Sequence, residues 1–177
     1  MPEQAAAGKI EPLDDYVAKH SEAYGLDALN PNMKEGLTYD GKLYALPMQA
    51  QMFVMVYRKD VFDKLGLQPP KTFADMQDAA AKIQADGQIK YPIALPWLAS
   101  ADIVTSYDSI MGSLGKDLTN HDTKVANLDS PESIEALNTM KSLLPYMDPQ
   151  VTTFDQPAVQ QQLYNGNAAM AIMFSGG

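Results

Sequence analysis

The chain has 177 residues with 13 lysines and arginines against 22 aspartates and glutamates, a formal net charge of −9, and no cysteine. This surplus of acid argues against binding to nucleic acid or to anionic lipid, because both depend on lysine and arginine side chains. The absence of cysteine excludes disulfides and thiolate metal sites, and a hydrophobic content of 46% excludes a disordered chain. No run reaches the ~18–20 apolar residues of a membrane helix. The start lacks the basic and apolar regions of a signal peptide, so we expect none in this chain.

The first part of the chain is expected to form short helices followed by a turn and a strand. Gly8 suits the C-terminal cap of a first helix, and residues 13–24 keep the spacing of a second helix. Asp40-Gly41 is typical of a tight turn. Residues 43–47 after this turn predict a short strand that ends at a proline.

The middle of the chain predicts one strand and two helices. Residues 51–57 are rich in methionine and valine, which favours a buried strand, and residues 60–65 predict a short helix. Thr72 and Asp75 have the spacing of a capping box, so a longer helix is expected from there to Gly87.

Strands and helices continue to alternate towards the end of the chain. Residues 92–95 predict a buried strand, and residues 103–114 keep the spacing of a helix. Ser130 and Asp155 are candidate caps of two more helices, and residues 168–174 predict a last strand. The helix after Ser130 is expected to have an apolar stripe made of Ile134, Leu137, Met140 and Leu144. This alternation indicates the α/β class.

Four stretches of sequence, in matching order and spacing, carry a family resemblance. They read YDGKLYALP at residues 39–47, YRKDVFDKLGL at 57–67, PPKTF at 69–73 and GNAAM at 166–170. Together they resemble the extracellular solute-binding proteins of ABC importers, the group that includes maltose-binding protein. The agreement extends over nearly the whole chain.

The resemblance implies the α/β fold of the type II periplasmic binding proteins, in which a ligand is held between two lobes joined by crossing segments. It implies a partial version of this fold, mostly one three-layer α/β lobe with part of the other. Residues 1–48 are expected to be the tail of lobe one and the approach to the interlobe crossing. Residues 49–177 are expected to be the crossing segment and most of lobe two. The chain would then be a fragment; a naturally small stand-alone domain is the alternative.

The resemblance also implies a function. The intact protein would be the substrate-binding component of an ABC importer, which closes around a sugar or polyol and delivers it to a membrane permease. It would act as a monomer in the periplasm or another extracytoplasmic space, without cofactor or metal. The alternative is a small structural or interaction domain of the α/β class with no small-molecule ligand.

Candidate ligand contacts follow from the chain context and from the chemistry of sugar sites, which combine aromatic faces with polar side chains. Gln49 and Gln51 flank the expected crossing, where members of the family often place a polar contact. Trp97 follows a predicted strand and is the best stacking candidate, because loops at the carboxyl ends of parallel strands face the crevice of an open α/β sheet. Asp102 and Tyr107 are weaker candidates, since the first could cap its helix and the second lies on an apolar face.

The end of the chain departs from the family pattern. Many members carry a tryptophan-containing loop after the last strand, whereas this chain reads Phe174-Ser175-Gly176-Gly177. Phe174 or Ser175 could contact the ligand, but an aromatic sugar platform is not expected from this loop.

No pattern of an enzyme is present in the sequence. Glycoside hydrolysis needs two carboxylates in a common cleft, and nothing in the spacing of pairs such as Asp148 and Asp155 indicates one. The motifs of serine hydrolases, zinc proteases and P-loop NTPases do not occur. We therefore expect a binding protein and no catalysis.

Overall fold

Two compact units build the chain, Met1–Ala50 and Gln51–Gly177. The computed structural model describes residues 1–49, 51–120, 123 and 125–176.

The first unit consists of short helices and a small hairpin. Its helices are α1 (Pro2–Ala6), α2 (Asp14–Tyr24) and α3 (Pro31–Glu35), with a 3-10 turn at Leu26–Ala28. Strands β1 (Thr38–Tyr39) and β2 (Lys42–Leu43) pair antiparallel. Asp40 and Gly41 join the two strands with φ angles of 47° and 73°. A two-residue hairpin turn with both central residues left-handed favours this Asp-Gly pair, as the sequence predicts.

The strand predicted over residues 43–47 is shorter than expected. The backbone N–H of Leu43 donates to the carboxylate of Asp14, 3.3 Å from Oδ2, and its carbonyl accepts from the N–H of Leu13 at 2.7 Å. These groups of Leu43 face α2, and the hairpin ladder continues for one bond past β2, from the N–H of Tyr44 to the carbonyl of Leu37 at 3.0 Å.

The second unit is built on a three-stranded sheet of order β3-β5-β4. Strand β3 (Phe53–Tyr57) runs antiparallel to β5 (Met170–Phe174), with Met55 opposite Ile172. Strand β4 (Ile93–Ala94) runs parallel to β5, with Ala94 opposite Ala171. The central strand β5 is largely buried, which explains its continuous run of apolar residues.

In the described part of the second unit, five helices pack around this sheet. They are α4 (Lys59–Leu65), α5 (Phe73–Asp86), α6 (Ala101–Ser113), α7 (Pro131–Leu143) and α8 (Gln156–Tyr164), with 3-10 turns at Leu144–Tyr146 and Val151–Thr153. In the part of the chain that the structure describes, no helix is both long enough and apolar enough to cross a membrane.

The predicted helix caps of the second unit are confirmed. The N–H of Asp75 donates to the hydroxyl of Thr72, and the Asp75 carboxylate accepts from the N–H of Thr72, both at 3.0 Å. This reciprocal pair is the capping box. Ser130 accepts from the N–H of Ser133 at the start of α7, and Asp155 accepts from the N–H of Ala158 at the start of α8.

The apolar stripe predicted for α7 is confirmed at Met140 and wrong at its other three positions, with Leu144 46% exposed. Ile134 and Leu137 are 56% and 55% exposed, and the buried positions of the helix are Ser133, Ala136, Met140 and Leu143. Ser133 can lie inside because its hydroxyl donates to the carbonyl of Leu128 at 2.6 Å and also contacts the hydroxyl of Tyr107. Because its hydroxyl is paired, Ser133 leaves no unsatisfied polar group on the buried face of α7.

Candidate functional site

The sheet of the second unit places several predicted site residues on one edge. Strands β4 and β5 are parallel, so both end at this edge, and the antiparallel strand β3 begins there. We call it the carboxyl edge and define it by residues 51–53, 96–98 and 174–176. Loops at the carboxyl ends of parallel strands are where open α/β sheets bind ligands.

Gln51 and Ser175 come together at the carboxyl edge. The N–H of Met52 donates to the hydroxyl of Ser175 at 3.2 Å, and the N–H of Ser175 donates to the carbonyl of Met52 at 2.8 Å. The amide nitrogen of Gln51 lies 3.3 Å from the place that a Cβ of Gly176 would occupy. Gln51 and Ser175 are both exposed, so this edge presents an amide and a hydroxyl to solvent.

An aromatic pair lies next to these polar groups. Phe53 and Phe174 are register partners on β3 and β5, and their ring centroids are 4.4 Å apart. Both side chains are half-buried. The sequence indicates Phe174 as a possible contact but not Phe53, because only the strand register shows that the two rings meet.

Trp97 follows β4 at the same edge but lies in the hydrophobic core, with 3% of its surface exposed. The loop that carries it is held at two points. The carbonyl of Pro96 accepts from the hydroxyl of Ser106 at 3.3 Å, and the N–H of Leu98 donates to the carbonyl of Phe154 at 2.8 Å. The indole Nε1 is buried and has no hydrogen-bond partner among the described residues. A stacking role for Trp97 stays a prediction.

Gln156 is a site candidate that the sequence did not indicate. Its amide oxygen accepts from the N–H of Phe174 at 3.4 Å, which holds the side chain against the end of β5. Its amide nitrogen is buried and has no partner within the described part of the chain. The sequence does indicate Asp155 as a helix cap, so it predicts that α8 begins here. Only the structure shows that the start of this helix lies beside Phe174.

The other three predicted residues have different surroundings. Asp102 is half-buried in the first turn of α6, where its carboxylate accepts from Ser100 at 3.2 Å, and Ser100 rather than Asp102 is the cap. The hydroxyl of Tyr107 lies 2.6 Å from that of Ser133 on α7. Gln49 is an exposed residue of the first unit. Their roles as ligand contacts stay predictions.

The shifted pKa values belong to groups outside the carboxyl edge. Arg58 follows β3, and its N–H donates to the carbonyl of Ala169 just before β5, which places it at the opposite edge of the sheet. Its guanidinium hydrogen-bonds the carboxylate of Asp60 and lowers the pKa of Asp60 to about 2. The pKa of Asp75 is also lowered, first by the backbone N–H of Lys71 and then by Thr72.

Among the residues that the structure describes, no group of three or more histidine, aspartate or glutamate side chains is arranged to hold a metal ion. A polar groove of about 390 Å³ is lined by residues that include Gln88, Lys90 and Asn167. An apolar groove of about 480 Å³ lies on one face of the sheet, against α5, α6 and α7.

Comparison with known sequences identifies the family. A family model described as bacterial extracellular solute-binding protein matches residues 1–177. The maltotriose-binding protein of Pyrococcus abyssi is 30% identical over 169 residues, which are 95% of this chain and 34% of that protein. The mannitol-binding protein of Pseudomonas aeruginosa is 37% identical over 92 residues, 51% of this chain and 20% of that protein. The chain thus spans about a third of the length of the first of these relatives.

Solved structures have the same fold. An ABC transporter solute-binding protein from Thermotoga lettingae with bound α-D-tagatose has a TM-score of 0.84 at 26% identity, covering 98% of this chain and 45% of that chain. One from Agrobacterium vitis with bound D-mannitol has a TM-score of 0.79 at 27% identity, covering 98% and 42%. These matches confirm the expected α/β fold of the type II periplasmic binding proteins. The chain belongs to the bacterial extracellular solute-binding protein family.

Proposed function

We propose that this chain is part of the substrate-binding component of an ABC importer and that its solute is a sugar or a polyol. The relatives named for maltotriose and mannitol, and the structures with tagatose and D-mannitol, support this solute class. The solute lies against the carboxyl edge of the second unit.

The observation that carries this proposal is the pairing of polar and aromatic groups at the carboxyl edge. The exposed amide of Gln51 can both donate and accept hydrogen bonds, as can the hydroxyl of Ser175, so together they match the hydroxyl groups of a sugar. The rings of Phe53 and Phe174 supply an apolar surface for the C–H groups. A glutamine at this position carries no charge, which suits a neutral solute.

The proposal also covers the partner and the cellular location of the whole protein. It captures the solute between two lobes outside the cytoplasmic membrane and delivers it to the permease of the importer. Residues 1–48 belong to lobe one and residues 49–177 to the crossing and lobe two. A monomeric state and a lack of catalysis remain predictions of the sequence.

An NMR titration tests where the solute lies. Amide shifts of the chain are followed while D-mannitol, tagatose or maltotriose is added. We expect shifts concentrated at residues 51–53 and 174–176. We expect weak binding, seen at millimolar solute but not by calorimetry, because this edge offers only one wall of the proposed site. Shifts confined to the polar groove at Lys90 and Asn167, or no shifts with any of these solutes, would contradict the proposal.

A further inference from the structure

Strand β3 has one side without a neighbouring strand. It is an outer strand of the sheet, paired with β5 on its other side. Of the helices and strands that the structure describes, only β5 makes extensive contact with it. The strand, Phe53–Tyr57, contains no charged residue and no proline, and its Val56 is 38% exposed. Natural edge strands usually carry such residues, because an unprotected apolar edge pairs with another strand.

Hydrogen bonds at the two ends of β3 show which of its residues pair with β5. The N–H of Arg58 donates to the carbonyl of Ala169 at 2.8 Å, and the N–H of Ser175 donates to the carbonyl of Met52 at 2.8 Å. Hydrogen-bonded pairs alternate along an antiparallel ladder, and this register continues through the two strands. The even-numbered residues of β3 therefore direct their backbone groups towards β5.

The odd-numbered residues direct theirs away from the sheet. They are Phe53, Met55 and Tyr57, and among the described residues none forms a hydrogen bond with their N–H or carbonyl groups. The outer side of β3 thus presents a row of donors and acceptors at the spacing of a sheet ladder. The group that matches such a row is a second β-strand.

The row is complementary to itself. In an antiparallel pair of two β3 strands with Met55 opposite its own copy, Phe53 lies opposite Tyr57 of the other copy. All the outward residues then occupy hydrogen-bonded positions, so every free N–H and carbonyl of the strand has a partner. A two-fold axis at Met55 generates this arrangement, as in an isologous dimer.

The side chains fit the same register. Phe53 and Tyr57 form an aromatic cross-strand pair, and Val54 lies opposite Val56 of the other copy. Aromatic and β-branched pairs of this kind stabilise antiparallel strands.

The charges that follow β3 favour the antiparallel arrangement. Arg58 and Lys59 come after the strand. In the antiparallel register they are level with Met52 and Gln51 of the other copy, which are uncharged. A parallel pair would instead place like charges opposite each other, which is unfavourable.

We propose that two copies of this chain associate through β3, antiparallel and about a two-fold axis at Met55, so that their sheets become one continuous sheet. The inference does not depend on the proposed solute. The association is weak and reversible, because a short strand buries little surface.

Sedimentation equilibrium over a roughly hundredfold range of chain concentration tests the association. We expect the apparent mass to rise from that of one chain towards that of two. Amide hydrogen exchange tests the register. The N–H groups of Phe53, Met55 and Tyr57 should exchange more slowly at high concentration, whereas those of Val54 and Val56 are protected at both ends of the range.

Three outcomes would overturn the inference. The mass of one chain at every concentration would show that the copies do not associate. Outward N–H groups that are already protected in the single chain would show that another segment of the chain covers the edge. A dimer in which their exchange does not change would show that another surface is used.

Two variants target the strand itself. Met55→Pro removes an outward N–H at the two-fold axis and none of the hydrogen bonds to β5, and proline is tolerated at such edge positions. Val56→Lys keeps the backbone and places a charge on the exposed side chain. We expect each to weaken the association roughly tenfold or more.

Val104→Lys is the matched control for the added charge. It makes the same change on α6, where Val104 is 52% exposed, and should leave the association unchanged. Should Met55→Pro fail to fold, the comparison of Val56→Lys with Val104→Lys still decides the question. Association of folded Val56→Lys as strong as that of the natural chain would overturn the inference.

Discussion

The hydroxyl oxygen of Tyr107 lies 2.6 Å from the hydroxyl oxygen of Ser133 and joins α6 to α7. Ser133 donates its own proton to the carbonyl of Leu128, so Tyr107 is the donor in this pair. The side chain is half-buried, and its polar end is used within the fold. This relationship gives Tyr107 a structural role that can be separated from ligand contact by experiment.

Tyr107→Phe should destabilise the chain by about 1 kcal/mol, because the buried hydroxyl of Ser133 loses a donor. Urea unfolding measures this change. Tyr164→Phe removes a hydroxyl from a side chain that is 80% exposed and should have no effect. If Tyr107→Phe instead weakens D-mannitol binding without changing stability, Tyr107 contacts the solute.

Gly166→Ala should be more destabilising than the same change at a left-handed glycine that has open space around it. Gly166 has a φ of 73°, and an added Cβ would stand 3.2 Å from the guanidinium nitrogen Nη1 of Arg58. The backbone strain alone costs about 1–2 kcal/mol.

Gly66→Ala is the matched control, with a φ of 63° and open space around the added Cβ. Urea unfolding of both variants isolates the contact with Arg58. Equal losses of stability would show that Arg58 moves aside freely.

The pair of Arg58 and Asp60 predicts a loss of stability in acid. The pKa of Asp60 is about 2 in the folded chain against an ordinary value of 3.8, so the unfolded chain binds protons more readily between these values. The stabilisation is complete above the ordinary value and disappears as the pH falls through about 2. The lowered pKa of Asp75 acts in the same direction.

Thermal unfolding of Asp60→Asn at several pH values tests this prediction. The variant should have a lower midpoint than the natural chain at neutral pH, and the difference should vanish near the pKa of Asp60 in the folded chain. Asp108→Asn changes an exposed aspartate on α6 and provides the reference. A constant difference at all pH values would contradict the assignment of the shift to this pair.

The orientation of α7 can be tested by truncating one residue from each of its faces. Leu143 is fully buried, so Leu143→Ala should cost roughly 2–5 kcal/mol. Ile134 is 56% exposed, and Ile134→Ala should change stability by no more than about 0.5 kcal/mol. Urea unfolding distinguishes the two, and a large loss for Ile134→Ala would restore the stripe that hydrophobicity predicts.

Local chemistry explains which parts of the fold could be predicted. The caps at Thr72, Ser130 and Asp155 depend on residues within three positions of one another, and all three predictions are confirmed. On the buried face of α7, Ser133 has a polar partner, Tyr107, that is 26 residues away in the sequence. The period of the apolar residues alone therefore indicates the wrong face.

The candidate site depends on longer separations still. Met52 and Ser175 are 123 residues apart, and their hydrogen bonds bring Gln51 beside Ser175. Family resemblance indicated Gln51 and Ser175 one by one, but it could not show that they meet. Gln156 was missed because its partner Phe174 lies on another element, 18 residues away.

Gln51→Ala tests the exposed part of the site. The side chain is exposed, so removing it should leave the free energy of unfolding unchanged, while loss of its hydrogen bonds to the solute should weaken D-mannitol binding by roughly three- to tenfold. Gln88→Ala truncates another exposed glutamine, which lines the polar groove rather than the carboxyl edge. The NMR titration of both variants compares the two surfaces directly. Weaker binding by Gln88→Ala, with Gln51→Ala unaffected, would place the solute in the polar groove and remove the carboxyl edge from the proposed function.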